Sequence, residues 1–136
     1  MRDDPKEYDK LPQEEKQAVQ YWISKAIKPA TKEASSSSYG LKHDYEHESG
    51  IYISNAEFKG AMLAAGYAPN NESGQNWLFN INKTYDNRRL PHDWDQRKEA
   101  RQAPMFRIHL IGEPDEELTR LATIAKQVAR DSQHKA

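Results

Sequence analysis

Apolar positions along the chain fall into helical stripes separated by turn residues and short alternating runs. Val19, Trp22, Ile23, Ala26 and Ile27 follow i, i+3, i+4, i+7, i+8 and predict one amphipathic helix. Pro12 lies near its first turn with Glu14 and Glu15, where carboxylates face the positive end of the helix dipole, and Pro29 is the expected stop. Residues 39–49 predict a second helix, capped by Ser38 and ended by Gly50, with Leu41 and Tyr45 on one side. The third helix has the clearest boundaries. Ser54-Asn55-Ala56-Glu57 fits a capping box, Ile53 and Phe58 stand at staple positions, and Gly66 suits a left-handed cap. Its buried stripe is Phe58, Ala61, Met62 and Ala65.

Residues 77–81 read as a strand, as do residues 105–111 with Phe106, Ile108 and Leu110 inward, while 51–53 allow a brief extended segment. A last helix starts at 114–117 and carries Leu118, Leu121, Ala122, Ala125, Val128 and Ala129, with fraying expected from Ser132. Between the elements, 1–10 read as a frayed solvated arm, 29–38 as a flexible serine-rich connector and 69–74 as a loop. Helix, helix, short strand, helix, loop and strand over 11–82 outline a winged helix-turn-helix-like unit. The predicted fold class is α+β. A basic linker over 83–104, with a short helix near Trp94, joins this unit to a strand-helix element over 105–136 that packs back on it.

Composition narrows the function classes. The 136 residues contain no cysteine, which excludes disulfides, thiol chemistry and cysteine-ligated metal. No run approaches 18 apolar residues and the first residues have no signal-peptide character, so a cytoplasmic protein without membrane contact is expected. Net charge is −1, but its distribution is uneven. Residues 36–82 hold two lysines against five acids, whereas residues 83–112 hold seven Lys/Arg against four.

Tyr21-Trp22-Ile23, Ser38-Tyr39-Gly40-Leu41-Lys42-His43 and the run from Phe58-Lys59-Gly60 to Gly66-Tyr67 resemble a group of short proteins of phages and integrative elements of Gram-positive bacteria. The same region is similar to the winged-helix tails of phage and plasmid primases, which share the pattern F-x-x-x-M/L-x-x-x-G-Y/F. The likeness spans about half the chain and implies a mobile-element origin, in a bacterial host cell, more than any activity.

Two readings follow for the polar positions. In the first, the protein is a non-enzymatic nucleic-acid-associated regulator. Asn55 and Lys59, off the buried stripe, approach a DNA or RNA groove, Asn82 and Lys83 lie at the wing, and Arg88, Arg89, Arg97 and Lys98 hold phosphates. In the second, it is an inhibitor of a host defence or nucleic-acid enzyme, in the manner of an anti-CRISPR protein. An acidic face of Asp44, Glu46, Glu48 and Glu57 then occupies a basic channel of a host nucleic-acid-processing protein. Both need the outer side of the 54–66 helix to stay open, and both are compatible with a homodimer.

Enzymatic patterns are weak. His43 and His47 have the i, i+4 spacing of H-E-x-x-H zinc sites, but Asp44 stands where the catalytic Glu belongs and His92, His109 and His134 are isolated. A solvated helix bearing histidines is the expectation, with no metal and no cofactor. There is no glycine-rich phosphate loop and no G-x-S-x-G elbow. Asp93 and Asp95 lack a surrounding two-metal framework, and Asp115, Glu116 and Glu117 suit a helix start. The chain is predicted not to be an enzyme.

Overall fold

The computed structural model describes residues 4–30, 35–70, 75–84 and 115–135. Their order is a 3-10 helix (Pro5–Lys10), α1 (Gln13–Ala26), β1 (Ile27–Pro29), β2 (Ser35–Ser37), α2 (Ser38–Ser49), α3 (Asn55–Ala64), β3 (Leu78–Lys83) and α4 (Glu116–Lys135). The fold is α+β, with a small antiparallel sheet in the order β1-β3-β2. The predicted linker helix and the predicted strand over 105–111 lie outside the described residues. Among the described residues, no helix is long and apolar enough to cross a membrane.

The sheet differs from a hairpin wing. β3 is central, and both partners precede α2 in the chain. Ile27–Pro29 pairs with the end of β3 (Ile27 opposite Lys83, Pro29 opposite Ile81), and Ser35–Ser37 pairs with its start (Ser35 opposite Asn80, Ser37 opposite Leu78). Pro29 therefore does not stop α1. That helix has already ended at Ala26, and Pro29 occupies an edge strand, where a missing N–H is harmless. The serine run, expected to be a connector, supplies β2, and Ser37 rather than Ser38 caps α2 by accepting from Gly40 N at 3.0 Å. Ser38 instead docks the sheet to α2, since its N–H donates to Trp77 O and its Oγ accepts from Trp77 N. Residues 51–53 join no strand.

Helix α3 keeps both predicted caps. Glu57 N donates to Ser54 Oγ at 3.0 Å and Ser54 N to Glu57 Oε1 at 2.9 Å. At the other end, Tyr67 N bonds to Met62 O and Gly66 N to Leu63 O, the paired bonds of a Schellman turn, with Gly66 at φ +95°. The core meets at Trp22 of α1, which is fully buried. Tyr45 of α2 stands edge-on to it at 5.6 Å and Phe58 of α3 at 6.3 Å. Phe79 and Ile81 close the core from the sheet. Helix α4 docks through Leu118, Ala122 and Ala125, and Tyr21 Oη donates to Asp115 at 3.0 Å; the helix runs on to Lys135 past the expected fray point.

The N-terminal arm is not frayed. Asp4 caps the 3-10 helix by accepting from Lys6 N at 2.9 Å, and Tyr8 is buried against α3. Gln20 of α1 ties the arm down by donating to both Tyr8 Oη (3.1 Å) and Ala61 O (2.9 Å). The seat is Gly60, where an added Cβ would lie 2.2 Å from Pro5 O and 2.4 Å from Tyr8 Cβ. A backbone carbonyl cannot swing away as a side chain can. The clash should therefore outweigh the ~1 kcal/mol that Ala gains over Gly inside a helix. Gly60→Ala is expected to destabilise the protein by about 1–3 kcal/mol in denaturant unfolding. The same change in a variant lacking residues 1–10 should stabilise it, and a loss of equal size there would show that the arm is not the cause.

Candidate functional site

Helix α2 departs furthest from expectation. Ten of its twelve residues are buried, all but Tyr39 and Gly40, so it has no solvated face. It lies against α1, α3 and α4 with β2 at its start, and Lys42, His43, Asp44, Glu46, His47 and Glu48 are each at most 6% exposed. The predicted acidic face is thus interior: Asp44, Glu46 and Glu48 present no surface. Such groups persist inside only where partners satisfy them.

Glu46 is the centre of that satisfaction. Its Oε2 accepts from Lys42 Nζ at 3.0 Å and from Ile53 N at 3.1 Å, while His43 Nδ1 lies 3.0 Å from its Oε1. Burial alone would raise the carboxyl. The His43 hydrogen bond, the Lys42 charge and its hydrogen bond, and the Ile53 amide together outweigh burial and hold the group at about 2. Glu48 accepts from Trp22 Nε1 at 3.0 Å, linking α2 to the core aromatic. Tyr39 stands edge-on to His43 at 4.3 Å, and Lys42 Nζ lies 5.9 and 5.1 Å from the Tyr39 and Tyr52 rings. Burial raises the Tyr45 phenol. His43 and His47 are buried, not solvated as expected, and no cluster of three or more metal-ligating side chains occurs among the described residues.

The expected groove-facing residues are also redistributed. Lys59 is 2% exposed, and its ammonium lies 5.0 Å from the Trp77 ring centroid, covered by the segment entering β3. Asn55 is half-buried and donates to Gln75 O (3.2 Å) and Asn76 Oδ1 (3.0 Å), fastening that segment to α3. Glu57 is used in the capping box. With the 3-10 helix seated at Gly60, the exposed residues of α3 are Leu63 and Ala64, which have no hydrogen-bonding side chain. Among the described residues, the cover comes from the N-terminal arm and the segment entering β3.

Asn82 and Lys83, expected at a wing, are exposed at the end of the central strand β3. Arg88, Arg89, Arg97 and Lys98 lie outside the described residues. What the sequence reading omitted is the surface beside Asn82. Strand alternation turns Phe79 and Ile81 inward and Asn80 and Asn82 outward, and the register sets Lys28 opposite Asn82 and Ser35 opposite Asn80. Lys28 shares this face, while Lys25, on α1, and Lys83, in phase with Phe79 and Ile81, are exposed at its margin. Lys28 Nζ donates to Ser24 O at 2.9 Å, and Lys25 Nζ sits 5.7 Å from the Tyr21 ring. Among the described residues of 24–30, 35–37 and 75–84 there are three lysines and no carboxylate. The only advance signal was the strand pairing, which period-2 alternation suggests for β3 but not for the short β1 and β2.

Comparison with known proteins returns no matching family model, no similar curated protein and no similar solved structure.

The Glu46 cluster makes stability depend on acid. The folded-state value of about 2 lies below the ordinary 4.5, so the stabilisation is complete above pH 4.5 and is lost as the pH falls toward 2. That difference corresponds to something on the order of 3 kcal/mol. Glu46→Gln should remove this part of the acid dependence and lower stability at pH 7. An unchanged slope between pH 5 and pH 2 in urea unfolding would contradict the assignment.

Proposed function

We propose that the chain is a non-enzymatic, nucleic-acid-associated regulatory protein of a phage or mobile element, and that it holds phosphates on the outer face of its sheet. The observation that carries this reading is the sheet face on which Lys28 stands opposite Asn82, with Asn80 on the same side of β3 and the exposed Lys25 and Lys83 beside it. Ammonium groups neutralise phosphates and release counterions, and amides reach sugar and base edges. In sequence, Arg88 and Arg89 follow β3 within six residues.

The helix pair α2–α3, with a strand before it that joins the strand after it, supports a winged-helix-like ancestry. The contact surface nevertheless moves from α3 to the sheet, because the arm and the β3 approach occupy α3. The inhibitor reading has less to stand on. Three of its four carboxylates are interior, and the fourth belongs to a helix cap.

Binding to duplex or single-stranded DNA and to RNA should weaken steeply with salt. Lys28→Ala and Lys83→Ala should each reduce the slope of log K against log salt by about 1 and weaken binding uniformly across sequences. Lys59→Ala, tested as folded protein, should leave the slope unchanged. Absence of binding to any of the three polymers at low salt would end this reading.

A further inference from the structure

At the far end of α1 from the sheet lies a groove of about 710 Å³, within the usual size of a small-molecule site. It is enclosed by the start of α1, the turn between α2 and α3, and the C-terminal half of α4. Its apolar walls come from Leu11, Ile51 and Ala125. Two carboxylates, Glu15 and Glu57, line it, and so do three cations, Lys10, Lys126 and Arg130. Among the described residues, no ion pair joins either carboxylate to Lys10 or Arg130, and the Glu15 carboxylate has no hydrogen-bond donor. Lys10 is paired with Glu7 on the surface, and Arg130 bonds Gln127.

Glu15 is held in an unfavourable state. Burial raises its carboxyl first, and the nearby charge of Glu57 adds to the effect. A ligand that donates hydrogen bonds to Glu15 would relieve this. Tyr52 completes the lining; the residue is 70% exposed, with Lys42 Nζ 5.1 Å from its ring centroid. Ring surface therefore remains for a planar partner to stack upon.

A carboxylate that accepts, an exposed aromatic ring, apolar walls and cations lining one groove suit a small molecule with a planar donor-bearing base and an anionic group. We propose that this groove binds a nucleotide, with its base stacked on Tyr52, the N–H edge of the base on Glu15, and its phosphate on Arg130 with Lys126. Guanine fits best, because its adjacent N1–H and 2-amino donors match the two oxygens of a carboxylate. Arg130 suits the phosphate through its fork of donors. The base and phosphate can come from a free nucleotide or from an unstacked residue of a single strand. Helix α1 is about 20 Å long, and the groove lies at its start while β1 follows its end, so this site is separate from the sheet surface and does not rest on it.

Calorimetric titration of the full chain with guanosine monophosphate (GMP) tests the proposal, with inosine, cytidine and adenosine monophosphates, guanosine, and a short single strand ending in guanine as companions. GMP is expected to bind at least tenfold more tightly than inosine monophosphate, which lacks the 2-amino donor. Glu15→Gln should weaken GMP tenfold or more, and Tyr52→Ala should weaken every base. Arg130→Ala should weaken GMP about tenfold while leaving guanosine unchanged, and Lys28→Ala should leave GMP unchanged. Glu15-dependent binding of the oligonucleotide would identify a strand as the source; binding confined to mononucleotides would identify the free nucleotide. No saturable binding of GMP at millimolar concentration, or equal binding by Glu15→Gln in a protein that melts like the parent, overturns the proposal whatever the sheet binds.

Discussion

The fold depends on the desolvated carboxylate of Glu46. A helix with no face to water must satisfy every polar side chain from within, and α2 carries a charged or imidazole group at six successive non-aromatic positions from Lys42 to Glu48. Glu46 draws Lys42 and His43 along their own helix and takes the Ile53 amide from the turn beyond it. It thus joins the interior of α2 to the turn that leads into α3. Glu48 does the same toward α1 by receiving the Trp22 indole, around which Tyr45 and Phe58 close. Truncating one partner of such a network leaves a buried charge uncompensated, which costs far more than an exposed ion pair gains.

That central helix determines what the surface can offer. Because α2 absorbs its own acids, the region that looked electronegative in sequence places few of them outside. Because the 3-10 helix seats on Gly60 and Trp77 lies over Lys59, α3 has little polar surface left. Two surfaces that gather polar groups are the sheet face and the groove beside α4. One carries lysines and amides; the other is lined by both carboxylates and cations. These are different kinds of recognition surface, at opposite ends of α1.

Legibility varied with the range of the interactions. The α3 boundaries followed from Ser54, Glu57 and Gly66, whose capping is complete within a few residues of chain. The inward stripes of α1 and α4 were equally plain from periodicity. The arm was missed because a lone Tyr8 among charges carries no periodic signal, and its docking depends on a bare glycine fifty-two positions away. β2 was missed because three serines have no strand preference of their own and pair only once β3 arrives. Lys59 was placed outward because a helical wheel knows the core stripe but not Trp77.

Local chemistry in the chain therefore determined where the principal helices begin and end, which apolar residues face inward, and that cysteine chemistry is excluded. Caps and 3.6-residue stripes act over one or two turns, so they can be read in one dimension. Only the tertiary structure decided which polar residues meet water. Burial of Lys42, Glu46 and Lys59 depends on partners brought in by packing, and Lys28 meets Asn82 only through the register of β1 and β3, strands far apart in the chain.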